Sequence, residues 1–275
     1  MKKALVLGVG GLRGAYDAGV VATLCRELGS NYFDSIYATS VGVCNGSFYV
    51  SGQPDTIERS WREFMSGNQL VNYLNPLKGR NILDSEYLID IMKTKKSFLN
   101  LEAIHESQTK IIFTIFNLAT SKCEYVSPKS DELLECMRAA IAMPYVHRPV
   151  VFNGSTYIDA GLVDPLPVKR AIDDGYDEII AVYNKSVNFY DTNNLKRKSL
   201  SLMSPIIPKK LQKQLSNLRT KAKQLDNYLD TTKGVTVIRP KFAIETTLFN
   251  TNKKVINDLF DLGVKDAKEY LKSVI

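Results

Sequence analysis

Three apolar runs decide what this chain can fold into. ALVLGV (4–9), KIIFTIFNLAT (110–120) and DEIIAVYN (177–184) carry few polar residues along their length. A strand with one wet face alternates polar and apolar positions, whereas a run that stays apolar is covered on both faces, as in a parallel sheet between helix layers. SIYAT (35–39), KCEYVS (122–127) and VTVIRP (235–240) read as further strands, with KCEYVS returning beside 110–120. VVF and TYID flank Asn153-Gly154-Ser155 and read as a hairpin.

Helical patterns fill the gaps between these strands. Ala15, Val20, Val21, Leu24 and Leu28 share one face after GGLRG, residues 41–51 follow Ser40, and DTIERSWREFM (55–65) reads as a continuation. Short helices are predicted near 84–94 and 101–106. DELLECMRAAIA (131–142) places acids in its first turn, which the helix dipole favours. PVKRAIDDG closes on Gly175. After a polar, proline-containing connector (185–209), Leu211, Leu215, Leu218, Ala222, Leu225 and Leu229 mark an amphipathic helix, and residues 250–273 a last one. The alternation predicts an α/β fold, a three-layer α/β/α sandwich with a mainly parallel central sheet. With 275 residues, 44% of them hydrophobic, the chain suffices for one large domain spanning 1–275.

Several function classes drop out. No run of eighteen apolar residues exists to span a bilayer. MKKALVLGVGGLR looks like a signal peptide only superficially, because its apolar run is short and Arg13 interrupts it. Cys25, Cys44, Cys123 and Cys136 lack metal-ligand spacing, and only two histidines accompany them, so no metal is expected. Scattered thiols fit small buried hydrophobes in a reducing, cytoplasmic setting.

The net charge of +7 is concentrated in one segment: residues 191–241 hold twelve Lys/Arg against three acids, which leaves −2 for the rest. That segment has three readings. It is a solvated helix face packing through its leucines, a peripheral contact with anionic lipid headgroups through 196–225, or a nucleic-acid surface. The last is not expected, since the segment lacks a reader motif.

In open parallel sheets, ligands bind beyond the carboxyl ends of the strands. The glycine run at 10–14 and Ser40 both stand there. Ala38-Thr39-Ser40-Val41-Gly42 has the form of a nucleophile elbow. The sharp turn lifts the hydroxyl above the sheet edge and aims the next helix's N-terminus at developing negative charge. The usual signature is G-x-S-x-G, and here Ala38 takes the first glycine position. The plain alternative is that Ser40 is a helix N-cap. Gly10-Gly11-Leu12-Arg13-Gly14 offers backbone N–H groups to a phosphate or an oxyanion. The dinucleotide pattern fails, because Arg13 stands where glycine is needed and no acid ends the second strand; the P-loop is absent. The oxyanion reading fits better. Tyr157-Ile158-Asp159-Ala160-Gly161 places a carboxylate at a strand end before a tight turn.

The order GGLRG, then ATSVG, then AMPYVHRPV and YIDAGLVDPLPV resembles the patatin-like phospholipases, over roughly residues 4–183. It is most similar to their bacterial branch opening with G-G-x-R-G; residues 185–275 match no motif. The resemblance implies a Ser40–Asp159 dyad, an oxyanion hole built by Gly10, Gly11, Leu12, Arg13 and Gly14, an acyl-enzyme intermediate and no cofactor. The implied substrates are ester-linked lipids. Two departures stand out: Ala38, and Asp-Ala-Gly where the family often has glycine directly after the aspartate. Neither removes a reacting group.

His105 lies in a polar stretch and reads as exposed. The resemblance places His147 at a loop position beside the site and not as a base, and so implies that Asp159 itself takes the proton. Arg13 either pairs with a carboxylate and fixes its loop, faces an anionic headgroup, or is a plain surface residue. Asp164, Asp173 and Asp174 read as turn and helix-end acids. Trp61, Phe64 and Met65 read as core rather than pocket. The rival functions are an acyltransferase or thioesterase using the same dyad, and a non-catalytic lipid-binding or regulatory module on the same scaffold.

Overall fold

The computed structural model describes residues 1–94, 97–187, 218–244 and 246–274. Its strands are β1 (Lys3–Leu7), β2 (Ser35–Thr39), β3 (Lys110–Asn117), β4 (Lys122–Val126), β5 (Val150–Phe152), β6 (Ser155–Asp159), β7 (Glu178–Val182) and β8 (Val235–Ile238). They form one sheet in the order β5-β6-β3-β2-β1-β7-β8, with β4 also paired to β3. The run β3-β2-β1-β7-β8 is parallel throughout, and β4, β5 and β6 pair antiparallel.

The apolar runs behave as their composition requires. In β1, Leu5 and Leu7 point into one core, and Ala4 and Val6 into the other. In β7, Ile180 and Val182 join the first core, and Ile179 and Ala181 the second. The first core is covered by α1 (Gly14–Leu28), α2 (Val41–Val50), α3 (Pro54–Phe64), α4 (Ser85–Lys93), α5 (Leu101–Glu106), α6 (Leu133–Ala140) and α9 (Lys253–Val274). The second is covered by α7 (Val168–Asp173) and α8 (Leu218–Thr231). This is the three-layer α/β/α arrangement predicted from the sequence.

Details differ from the sequence reading. Residues 41–65 form two helices, not one, because the chain breaks at Gly52 (φ 66°) and restarts with Pro54 in the first turn of α3. The hairpin turn is only Asn153-Gly154, both at positive φ (45° and 76°), and Ser155 already pairs with Phe152. Cys123 is half-buried, unlike the other three thiols. The C-terminal residues, though without a motif, belong to the core. Helix α9 crosses α1 with the backbones in touch: a Cβ on Gly263 would strike the Tyr16 carbonyl, and one on Gly19 the Phe260 carbonyl.

The long amphipathic helix predicted from Leu211 onward is described only as α8. In it Ala222 and Leu229 are buried and Leu225 packs against the second core. Residues 196–217 of the basic segment lie outside the described residues.

Candidate active site

The sheet topology itself brings Ser40 and Asp159 together. Strand β2 pairs with β3 from Ser35 opposite Lys110 to Thr39 opposite Thr114, and β6 pairs from Asp159 opposite Ile115 onward. Strand β4 occupies Phe113–Asn117 of β3 and so overlaps both. One stretch of strand edge holds one partner. Therefore β2 and β6 lie end to end on the same edge of β3. One runs parallel to β3 and the other antiparallel, so their carboxyl ends meet. Thr39 and Asp159 stand opposite consecutive residues, and Ser40 emerges at the junction.

Ser40 occupies the N-cap position of α2, but its side chain makes no capping bond. Its backbone sits at φ 59° and ψ −132°, a region that L-residues avoid at a cost of roughly 1–3 kcal/mol. The plain N-cap reading is therefore rejected. The turn keeps the hydroxyl off the helix amides and turns it toward Asp159. The neighbours are small for steric reasons. A Cβ on Gly42 would stand 2.8 Å from the Leu7 carbonyl oxygen, where α2 starts against the end of β1. Ala38 and Thr39 are buried in the sheet.

Asp159 is 5% exposed. Its Oδ1 accepts the Gly161 amide at 2.8 Å, and its own amide donates to the Ala142 carbonyl. Burial raises its pKa from 3.8 to about 6, opposed by hydrogen bonds from the Ser40 hydroxyl and the Gly161 amide. A carboxylate so placed is ionised at neutral pH, yet basic enough to accept a proton.

The glycine run forms a 3-10 turn, Gly11–Arg13, leading into α1. It abuts the elbow: a Cβ on Gly14 would lie 2.6 Å from Val41 Cγ1. Its amides are not equivalent. Leu12 donates to the Leu248 carbonyl at 2.7 Å, Arg13 to Gly10, and Gly14 to the Gly11 and Leu12 carbonyls. Among the described residues only the Gly10 and Gly11 amides of this run have no carbonyl partner. Arg13 is buried, which corrects the surface reading, and its charge acts on the buried Asp17. Burial pushes Asp17 well above the usual carboxylate range, and the Asn184 bond and the Arg13 and Lys185 charges oppose it. Asn184 Nδ2 ties this carboxylate (2.6 Å) to the Val9 carbonyl (2.9 Å) behind the loop.

Ser40 and Asp159 line a common cavity of about 70 Å³. Phe48, Trp61, Leu88, Met92 and Ile141 give it an apolar lining, and Phe249 flanks it beside Gly11 and Leu12. Trp61 and Met65 are buried, but they line this cavity, which corrects the reading of them as core rather than pocket. Trp61 Nε1 donates to Asn45 Oδ1 (2.9 Å), whose Nδ2 donates to the Gly14 carbonyl (3.1 Å). Asn45 thereby links α2, α3 and the glycine run. Sequence reasoning missed Asn45 and Phe249; neither belongs to a motif. The Cys44 thiol also lines the cavity, but burial pushes its pKa up to about 12, so it offers no thiolate.

Neither histidine is bonded to the pair. His105 is exposed. His147 is buried between the Ser85 hydroxyl (2.7 Å) and the Arg148 carbonyl (2.6 Å), and burial lowers its pKa. Asp164 accepts from Tyr125 and Asp174 from Tyr37, both as structural partners.

Several known proteins are similar to this chain in sequence or in fold. An uncharacterised Escherichia coli protein, YjjU, is 26% identical over 192 residues, 69% of this chain and 54% of its own length. An uncharacterised NTE-family protein of Mycobacterium tuberculosis is 28% identical over 180 residues, 65% of this chain and 48% of its own. The chain thus spans about half the length of these curated relatives. A lysophospholipase of Aspergillus terreus is 26% identical over 98% of this chain, which matches 18% of that protein. In fold, the chain is similar to VipD from Legionella pneumophila, with a TM-score of 0.52 at 12% identity, covering 99% of this chain and 67% of that one. The model of the patatin-like phospholipase family matches residues 5–172, the stretch that carries the glycine run, the serine elbow and the aspartate turn. The chain belongs to the patatin-like phospholipase family.

Proposed function

We propose that the protein is a serine acyl hydrolase of ester-linked lipids, acting through Ser40 and Asp159. The observation that carries this reading is a strained serine and a buried carboxylate, its pKa raised to about 6, that line one apolar cavity.

Ser40 Oγ attacks the ester carbonyl carbon while Asp159 takes the hydroxyl proton. The carbonyl oxygen becomes an oxyanion and faces the Gly10 and Gly11 amides and the N-terminus of α2. Collapse breaks the acyl C–O bond, and the alcohol leaves with the proton from Asp159. Water, deprotonated by Asp159, then attacks the acyl-Ser40 ester; collapse breaks the acyl–Oγ bond, Asp159 returns the proton to Ser40 Oγ, and the acid is released. Side chains and amides of the chain handle every proton and charge, so the sequence of steps calls for no cofactor. The acyl chain occupies the apolar cavity, and a polar leaving alcohol faces the opening.

The Gly11 backbone is at φ 54°, and a Cβ there would stand 2.5 Å from the Leu248 carbonyl oxygen. Gly11→Val therefore displaces the loop. Steady-state kinetics should show kcat lower by about 10²-fold, with KM little changed, the signature of a lost oxyanion donor.

Methanol competition tests the proposal. With p-nitrophenyl butyrate, the acyl-enzyme predicts methyl butyrate in proportion to methanol, and a butyryl adduct at Ser40 after rapid quench. Faster transfer to a lipid alcohol than to water would favour the acyltransferase reading. Absence of both adduct and methyl ester would overturn the mechanism.

A further inference from the structure

The loop joining α3 to α4 holds large apolar side chains in solvent by design. Tyr73, Leu74 and Leu77 are 64%, 65% and 84% exposed, within five consecutive positions. Single exposed apolar residues are ordinary, but a cluster on a soluble surface marks a contact site. This loop is not slack. Asn75 is buried and donates to the Asn81 carbonyl (3.0 Å), while its own carbonyl accepts the Arg80 amide. Asn72 accepts the Leu74 amide at 2.9 Å, and its own amide donates to the Ile82 carbonyl. A polar asparagine is thus sunk inward and three greasy side chains are turned outward.

Charge points to the partner. The only charged residues in 72–82 are Lys78 and Arg80, both exposed, and exposed Arg148 follows, its amide bonded to Asn81. Apolar tips with cations in the same loop suit the boundary between anionic headgroups and acyl chains. Location agrees. The loop is closed at its base by the Val71–Leu83 bridge, and Leu70, Val71 and Leu83 line the cavity at Ser40.

We infer that residues 72–82 are a docking surface for an anionic phospholipid bilayer, which presents lipid esters to the cavity directly beneath. The delivery role rests on the hydrolase reading above; the docking does not. The surface also differs from the basic segment 196–225.

Sedimentation with phosphatidylglycerol–phosphatidylcholine vesicles tests it. The full chain should partition onto them, and Ser40→Ala should partition equally. The triple variant Tyr73→Ser/Leu74→Ser/Leu77→Ser should bind at least about tenfold more weakly. Lys78→Ala/Arg80→Ala should lose about tenfold on these vesicles and little on phosphatidylcholine alone. Both variants should turn over soluble p-nitrophenyl butyrate like the parent, which separates failure of docking from failure of the chemistry. Val274→Ser, an exposed apolar position at the far end of α9, should bind like the parent. Parent and triple variant binding alike, or the parent not binding at all, would overturn the proposal. So would a parent dimer that the triple variant dissolves without any change in vesicle binding, since the loop would then be a self-association surface.

Discussion

Asp159→Asn is expected to lower kcat by roughly 10²–10⁴-fold, the usual worth of a general base, and at pH 8 to make the fold more stable. The two effects share one cause. Folding raises this carboxyl from 3.8 to about 6, chiefly by burial. Between those values the folded chain holds a proton that the unfolded chain has released, so stability falls as pH rises through that window. Above pH 6 the full deficit persists, about 3 kcal/mol for a shift of this size. Asparagine keeps an oxygen for the Gly161 amide and carries no charge. Thermal unfolding should show the variant ahead of the parent at pH 8 and level with it at pH 3. In the parent, kcat/KM should rise with pH through a midpoint near 6 and then flatten, because only the ionised form accepts the Ser40 proton.

Ser40→Ala is expected to lose at least about 10⁴-fold in turnover, since the group that becomes acylated is gone. Comparison with Ser40→Gly isolates the backbone contribution. Alanine retains the strain of φ 59° and ψ −132°, whereas glycine adopts that region freely. The glycine variant should be equally inactive but more stable than the alanine variant by about 1 kcal/mol or more, read from denaturant midpoints. Equal stability would mean that the elbow stores no strain.

The layers of the fold were legible because both-face burial leaves its mark on composition: Ala4–Leu7 and Ile179–Val182 are apolar at every position, whichever core each residue enters. The three motifs were legible as local patterns, since a tight turn limits its neighbours to small residues. Their assembly was not. That Ser40 meets Asp159 depends on β2 and β6 sharing one edge of β3, a long-range register without a local signal. The cavity was hidden for another reason. Trp61 and Met65 have the spacing of a buried helix face, and a wall of a cavity buries a face just as solid core does. Phe249 and the Leu248 carbonyl come from a stretch without a motif, held in place by the packing of α9 on α1. Similarly, residues 72–82 carry no periodic pattern, and it is the burial of Asn75 that shows which way their apolar residues face.

The central claim is that Asp159 activates Ser40 for attack on an acyl carbonyl. Labelling with a fluorophosphonate probe, followed by peptide mapping, tests it most directly. The account predicts one adduct, at Ser40, absent in Ser40→Ala and formed much more slowly in folded Asp159→Asn. An unlabelled folded parent, or labelling at Ser40 that proceeds equally fast in Asp159→Asn, would contradict it.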